Sequence, residues 1–433
     1  MPLQAGTARI DITPPPGQPM AGFPKFDPQL APTDMSGYFG RQGGATGTHD
    51  PLYARALVLD NGERALAFVA VDLVMVTAAF TAAVRDAVHQ AIGLRPEDLL
   101  IAASHTHAGP DLFGGEPELN QAVEPQIQRQ IVAAVQDAYA NRRPARAGWA
   151  DVDLDRISIN RRDAAGPIDP RVGVMRVEGE DEKPIALVVN FAVHTCMLSA
   201  ANCEYSGDLS GFAMNALERL YPGSVALFLN GAAGNINPVA YPWGPKENVV
   251  PVFREAWHAG RPHPRTFANT ARLGHILAAA AMQAAEQVQE YHDALPLAGA
   301  VHPATLPVRA ADELSQVLAY TRCDPSQLPA GTRGETFETQ VQALQVGPRV
   351  YVALPGEPFV ELGLDLQRRL GRERAYVVGY ANDDAWYVLP ESAHRENRYE
   401  TWGSFLAAGS GEALVDAAER VAREVAQANE TAR

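Results

Sequence analysis

Short apolar runs alternate along the chain with segments whose apolar residues recur every three or four positions, and this alternation predicts an α/β fold. The runs place strands at residues 65–71, 99–104, 185–193, 224–229, 349–354 and 375–379. The longer periodic stretches place helices near 77–92, 125–140, 209–220, 270–289, 359–370 and 412–426. No linker, internal repeat or low-complexity tail interrupts the pattern, so the expectation is one large layered domain over 1–433, with a mixed β-sheet core flanked by helices. Residues 1–47 carry a heavy proline and glycine load after Asp11 and are expected to wrap the surface, over the site. Residues 238–264, with Trp243 and Trp257, read as a long loop or lid.

Composition narrows the function classes. Acidic residues outnumber basic ones 51 to 36, for a formal charge of −15, which repels phosphate backbones and anionic headgroups. Neither nucleic acid nor a stable membrane anchor is expected as a partner; a small molecule is. The most apolar run, 65–80, is broken by Asp72 and falls short of the ~20 apolar residues a bilayer requires. The cysteines, Cys196, Cys203 and Cys323, show no paired metal spacing and no disulfide framework. The first residues carry neither a basic nor an apolar leader pattern, so a cytoplasmic protein is expected.

In open α/β sheets ligands bind beyond the carboxyl ends of strands, and here those ends are rich in chemistry. The strand at 99–104 runs into His105-Thr106-His107-Ala108-Gly109-Pro110, and side chains two apart on extended backbone face the same way. The strand at 185–193 ends at His194, that at 224–229 at Asn230-Gly231-Ala232-Ala233-Gly234-Asn235-Ile236-Asn237, and that at 349–354 at Pro355-Gly356-Glu357. The strand at 375–379 enters Asn382-Asp383-Asp384-Ala385-Trp386-Tyr387. A catalytic zinc takes about three N and O ligands and keeps a place for water; His105, His194 and Glu357 would satisfy that. Each alone is more readily explained as hydrogen-bonded structure than as a ligand.

The motifs Ser104–Pro110, Ile159-Asn160-Arg161, Asn190-Phe191-Ala192-Val193-His194, the Gly234–Pro238 turn, Pro355-Gly356-Glu357, and Tyr387 followed by Arg398-Tyr399-Glu400 together resemble the catalytic N-terminal domain of the neutral/alkaline ceramidases. That family is zinc-dependent and splits the amide between a fatty acid and sphingosine. The resemblance implies that His105, His194, Glu357 and Tyr387 hold the zinc, with His107 and Arg161 beside the reacting carbonyl and Asp208 near the site. A divergent, shorter member is expected, without the family's C-terminal β-sandwich.

Two departures bear on substrate. The family's turn carries an Asp and a Ser where this chain has Asn235 and Asn237, and the residues before the tyrosine ligand are Asp383 and Asp384 rather than apolar. Paired carboxylates disfavour a long acyl chain, so a polar or cationic substrate is expected. The expected function is zinc-dependent hydrolysis of an amide, ester or lactone bond by metal-bound water. His107 moves a proton, and Arg161 or the backbone amides of Gly231 to Gly234 stabilise the oxyanion. The alternatives are a ceramidase or N-acyl lipid amidase, and a non-catalytic metal- or ligand-binding relative.

Overall fold

The computed structural model describes residues 2–23, 27, 29–30, 40–41, 43–113, 117–239 and 265–431. Its first sheet has eight strands: β1 Gln4–Asp11, β2 Tyr53–Asp60, β3 Ala65–Val71, β4 Leu99–Ala103, β5 Arg143–Asp153, β6 Arg171–Gly179, β7 Pro184–Phe191 and β8 Val225–Asn230, in the spatial order β8-β7-β6-β5-β1-β2-β3-β4. The β3–β4 and β7–β8 pairs are parallel and the remaining pairs antiparallel. A second sheet is formed by β9 Leu297–Pro307, β10 Thr336–Val346, β11 Arg349–Ala353 and β12 Ala375–Val378, edged by Thr332–Arg333, with β11 and β12 parallel.

The expected mixed sheet flanked by helices is therefore present, and a second sheet is stacked on it. Strand alternation shows why. In β3, Leu66, Phe68 and Ala70 face one apolar cluster and Ala67, Val69 and Val71 another. The first cluster also contains Leu344, Tyr351, Ala353, Tyr376 and Val378 of the second sheet. Strands apolar on both faces need cover on both. One cover is the other sheet; the second is helical. Helices α1 Ala78–Ile92, α2 Pro117–Ala140, α3 Asp208–Leu220 and α4 Phe267–Glu286 lie on the outer face of the first sheet. Helices α5 Val360–Leu370 and α6 Ser410–Thr431 lie on that of the second. No helix among the described residues is long and apolar enough to cross a membrane.

The N-terminal expectation needs correction. Residues 4–11 are not a surface wrap: β1 sits between β5 and β2 inside the first sheet. The proline and glycine load begins only after Asp11, so it carries no information about the strand before it. Beyond β1 the chain does lie over the site, with Met20, Ala21 and Phe23 buried. Residues 240–264, most of the expected lid with Trp243 and Trp257, lie outside the described residues.

Candidate metal centre

Every expected strand-end residue comes from a strand of a parallel pair, β4, β7, β8, β11 or β12, and both sheets contribute. The seam is tied by backbone. The loop after β12 runs along β4: Ala103 N donates to Tyr380 O (3.0 Å), and Asn382 N to Ile101 O (2.9 Å). Glu357 and Tyr387 are register partners in a short parallel ladder. Five of the seven non-glycine residues with positive φ among those described, His105, Asp208, Tyr380, Asn382 and Trp386, lie in these loops. Backbone in that region is costly and survives where surrounding structure imposes it, which is commonest at functional sites.

The imidazoles of His105, His107 and His194 converge, all buried. His105 Nε2 lies 3.0 Å from His194 Nε2 and 3.2 Å from His107 Nε2. Glu357 Oε2 is 3.4 Å from the former and 3.2 Å from His194 Nε2. His105 Nδ1 is 2.6 Å from Val74 O, and His194 Nδ1 is 2.7 Å from Ala233 O. A carbonyl can only accept, so both Nδ1 atoms carry the protons and both Nε2 atoms present lone pairs to one another. Burial first, then the charges of Arg161 and His105, lowers the His194 pKa to about 4. Glu357 Oε2 is buried with no hydrogen-bond partner. Burial would raise its carboxyl, whereas positive charge among the imidazoles of His105 and His194 would hold it well below the usual range.

Lone pairs crowded at such distances need a cation between them. Ligands arranged tetrahedrally about 2.1 Å from a metal stand about 3.4 Å apart, close to the spacing seen, and Nδ1 bonds to carbonyls are the usual outer support of metal-binding histidines. The residues present fit a divalent metal with N and O preference.

His107 joins this cluster but differs from its neighbours. Its Nδ1 is buried without a partner. Burial, then His105 and His194, holds its pKa well below normal. It is wedged by Gly22 at φ +94°, where a Cβ would approach the imidazole to 2.4 Å, and by the Phe23 ring at 4.9 Å.

Tyr387 sits beside Glu357 by register, with the Arg161 guanidinium 5.4 Å from its ring centre. Arg161 is occupied: it donates to Glu400 (2.6 Å), Asn237 Oδ1 (3.2 Å) and Gly234 O (2.7 Å). The amides of Gly231 and Gly234 are likewise committed, to Phe191 O (3.0 Å) and Pro358 O (2.9 Å). Of the expected oxyanion donors, Arg161 and the amides of Gly231 and Gly234 are thus engaged with the protein, because the turn is held tightly against its neighbours; a Cβ on Gly234 would meet Glu357 O at 2.4 Å.

The remaining expected residues brace. Asn230 spans Ser104 O and Val193, joining two strand ends. Asp208 accepts from the amides of Met197, Leu198 and Leu209, fixing the loop after His194. Asn235 accepts from Val360 N and donates to Glu361. Asp383 does not line a pocket mouth: it is 5% exposed and accepts from Ala78 N at the start of α1, from Asp384 N and from Thr339. A charged pair in a loop gave no hint that a helix terminus 305 residues away would claim one member. Asp384 is buried and accepts from Trp386 N.

Three neighbours escaped the sequence reading. Tyr380 stacks on His105 with ring centres 4.1 Å apart, and its hydroxyl is buried without a partner. It directly follows a predicted strand, which was the available signal. Glu400 pairs with Arg161 and Arg162, and its place in Arg398-Tyr399-Glu400 marked it without suggesting a role. Glu361 on α5 carried no signal.

Residues 29–293, more than half of the chain, match the family described as neutral/alkaline non-lysosomal ceramidase, N-terminal. A neutral ceramidase of Mycobacterium tuberculosis is 25% identical over 387 residues, covering 70% of this chain and 60% of that one. A neutral ceramidase of Pseudomonas aeruginosa is 26% identical over 323 residues, covering 67% and 43%. The chain thus spans less than two thirds of the length of either. The crystal structure of the Pseudomonas aeruginosa neutral ceramidase shares the fold, with a TM-score of 0.73 at 23% identity over 98% of this chain and 75% of that one. A ceramidase complexed with C2 gives 0.71 at 20% over 98% and 76%. With the fold, the histidine centre and the matched segment in agreement, the chain belongs to the neutral/alkaline non-lysosomal ceramidase family.

Proposed function

We propose that this protein is a zinc-dependent hydrolase of an amide or ester bond in a polar small molecule. The observation that supports it is the meeting of the His105, His194 and Glu357 lone pairs at 3.0–3.4 Å, with both outer nitrogens tied to carbonyls. In this reading those three residues and Tyr387 hold the ion. Bound there, zinc would polarise the scissile carbonyl and acidify a water. His107 is the proton carrier: its imidazole is neutral, and its Nδ1 is uncommitted. Arg161 holds Tyr387 and the 234–237 turn in place, since its guanidinium is bound to Glu400, Asn237 and Gly234. Three free thiols, with Cys196 buried and pushed up to about 12 by burial, are consistent with a cytoplasmic setting.

A second reading, ceramidase or N-acyl lipid amidase, is favoured by the relatives named neutral ceramidase. Asn235 and Asn237 in the turn weigh against it, as does the buried polar carboxyl of Asp384. The binding of Asp383 to α1 removes half of the charge argument for a polar substrate. Elemental analysis of the purified protein, followed by incubation with labelled ceramide and with short polar N-acyl compounds, separates the readings. Zinc with turnover of the short compounds is expected; absence of bound metal, or turnover of ceramide alone, overturns the proposal.

A further inference from the structure

We propose that Asn237 is a catalytic residue of this hydrolysis, donating a hydrogen bond from Nδ2 to the carbonyl oxygen of the scissile bond. The inference rests on the hydrolase reading and adds to it the donor that the reaction requires. Asn237 is fully buried, in a short antiparallel ladder opposite Ile159. The orientation of its amide is settled by chemistry. Arg161 Nη1, 3.2 Å away, can only donate, so the atom facing it is Oδ1; the Cys196 thiol lies 4.0 Å from the same oxygen. Nδ2 therefore forms the opposite end, and it is buried with no acceptor.

Leaving a buried donor unsatisfied costs about 1–3 kcal/mol, and such groups are few in folded proteins. The surroundings indicate what satisfies this one. Ile236 O, in the preceding residue, accepts from His194 N (2.8 Å). Cys196 is two residues past His194, and Arg161 lies beside Tyr387. These contacts put the Asn237 side chain next to residues of the His194 and Tyr387 arms, with Nδ2 at the end turned away from Arg161 and Cys196. Of the other donors anticipated for the carbonyl oxygen, Arg161 and the amides of Gly231 and Gly234 are bound to protein acceptors. An asparagine amide has no nucleophile and transfers no proton, but a fixed neutral donor in a dry site stabilises charge developing on oxygen.

The test uses the zinc-loaded protein with 4-nitrophenyl acetate and a short N-acetyl anilide. Asn237→Asp keeps an oxygen for Arg161 but replaces the donor with a carboxylate oxygen and its negative charge, so a hydroxyl rescue separates loss of the donor from added charge. Its kcat is expected to fall about 10²–10³-fold, with KM within about threefold of wild type and with metal content and thermal midpoint preserved. Asn237→Ser returns a hydroxyl donor and is expected to recover about tenfold of that loss. An active wild type whose Asn237→Asp variant turns over within about threefold overturns this inference alone, as does a loss that appears only together with lost metal or stability. A metal-loaded wild type that hydrolyses neither probe overturns the hydrolase reading and this inference with it.

Discussion

Two clusters of buried polar side chains lie next to each other in this protein and obey opposite rules. Around Arg161 and Glu400 donors face acceptors: the carboxylate takes Arg161 Nε and Arg162 Nη1, both at 2.6 Å, and the guanidinium continues to Asn237 and Gly234. Around His105, His194 and Glu357 acceptors face acceptors, and the one unpaired carboxylate oxygen points among them. Apart from Asn237 Nδ2, donors and acceptors in the first cluster are matched; the acceptors of the second call for a cation. Burial and residue type are similar in the two, so it is the donor–acceptor count that distinguishes a brace from a ligand set.

The contrast can be broken at either end. His194→Ala is expected to have the largest effect, removing most bound metal and lowering hydrolysis about 10³-fold or more, as elemental analysis and steady-state rates would show. A variant that keeps both would place the metal elsewhere. Glu400→Ala leaves two buried guanidinium groups without their shared partner. It should cost about 3–5 kcal/mol in denaturant unfolding, with metal binding retained if the clusters are separate in kind.

Asn235→Asp, which restores the residue type expected from the family's turn, sets a carboxylate against Glu361, whose oxygen is 2.9 Å from Asn235 Nδ2. A loss of about 2–4 kcal/mol is expected, with recovery in the Asn235→Asp, Glu361→Gln double variant. A double-mutant cycle without coupling would dissociate the turn from α5. The smallest effect concerns Asp384. Burial, with further upward pressure from Glu357 and Asp383, raises its pKa from 3.8 to about 7. A carboxyl raised in the folded state contributes its full stability below the unfolded value and loses it as pH climbs through the folded one. Asp384→Asn keeps an acceptor for Trp386 N. It should therefore stabilise the metal-free protein by on the order of 1–3 kcal/mol at pH 8 and by nothing near pH 4; equal gains at both pH values would refute the titration.

The extent to which the site was readable follows from the same distinction. His105, His194 and Glu357 were accessible because they close apolar runs that are buried on both faces, and such runs stand out in a sequence. Strands β5, β9 and β10, with exposed or half-buried positions between buried ones, stood out less and were missed; β2 and β6, buried almost throughout, were missed as well. With them went the second sheet: the pattern shows that both faces of β3 or β11 are covered but not by what. Tyr387 rested on family resemblance alone, and its register with Glu357 now places it beside the cluster. The roles of Asp383 and Glu361 depend on partners far along the chain, which local pattern cannot supply.

The proposed ligand set straddles the boundary between the two stacked sheets, His105 and His194 following strands of one and Glu357 a strand of the other. Bound metal would accordingly act as a rivet: its affinity would report how closely the layers sit, and a substitution in the apolar filling between them, remote from any ligand, would register as weakened ion retention before it registered as unfolding.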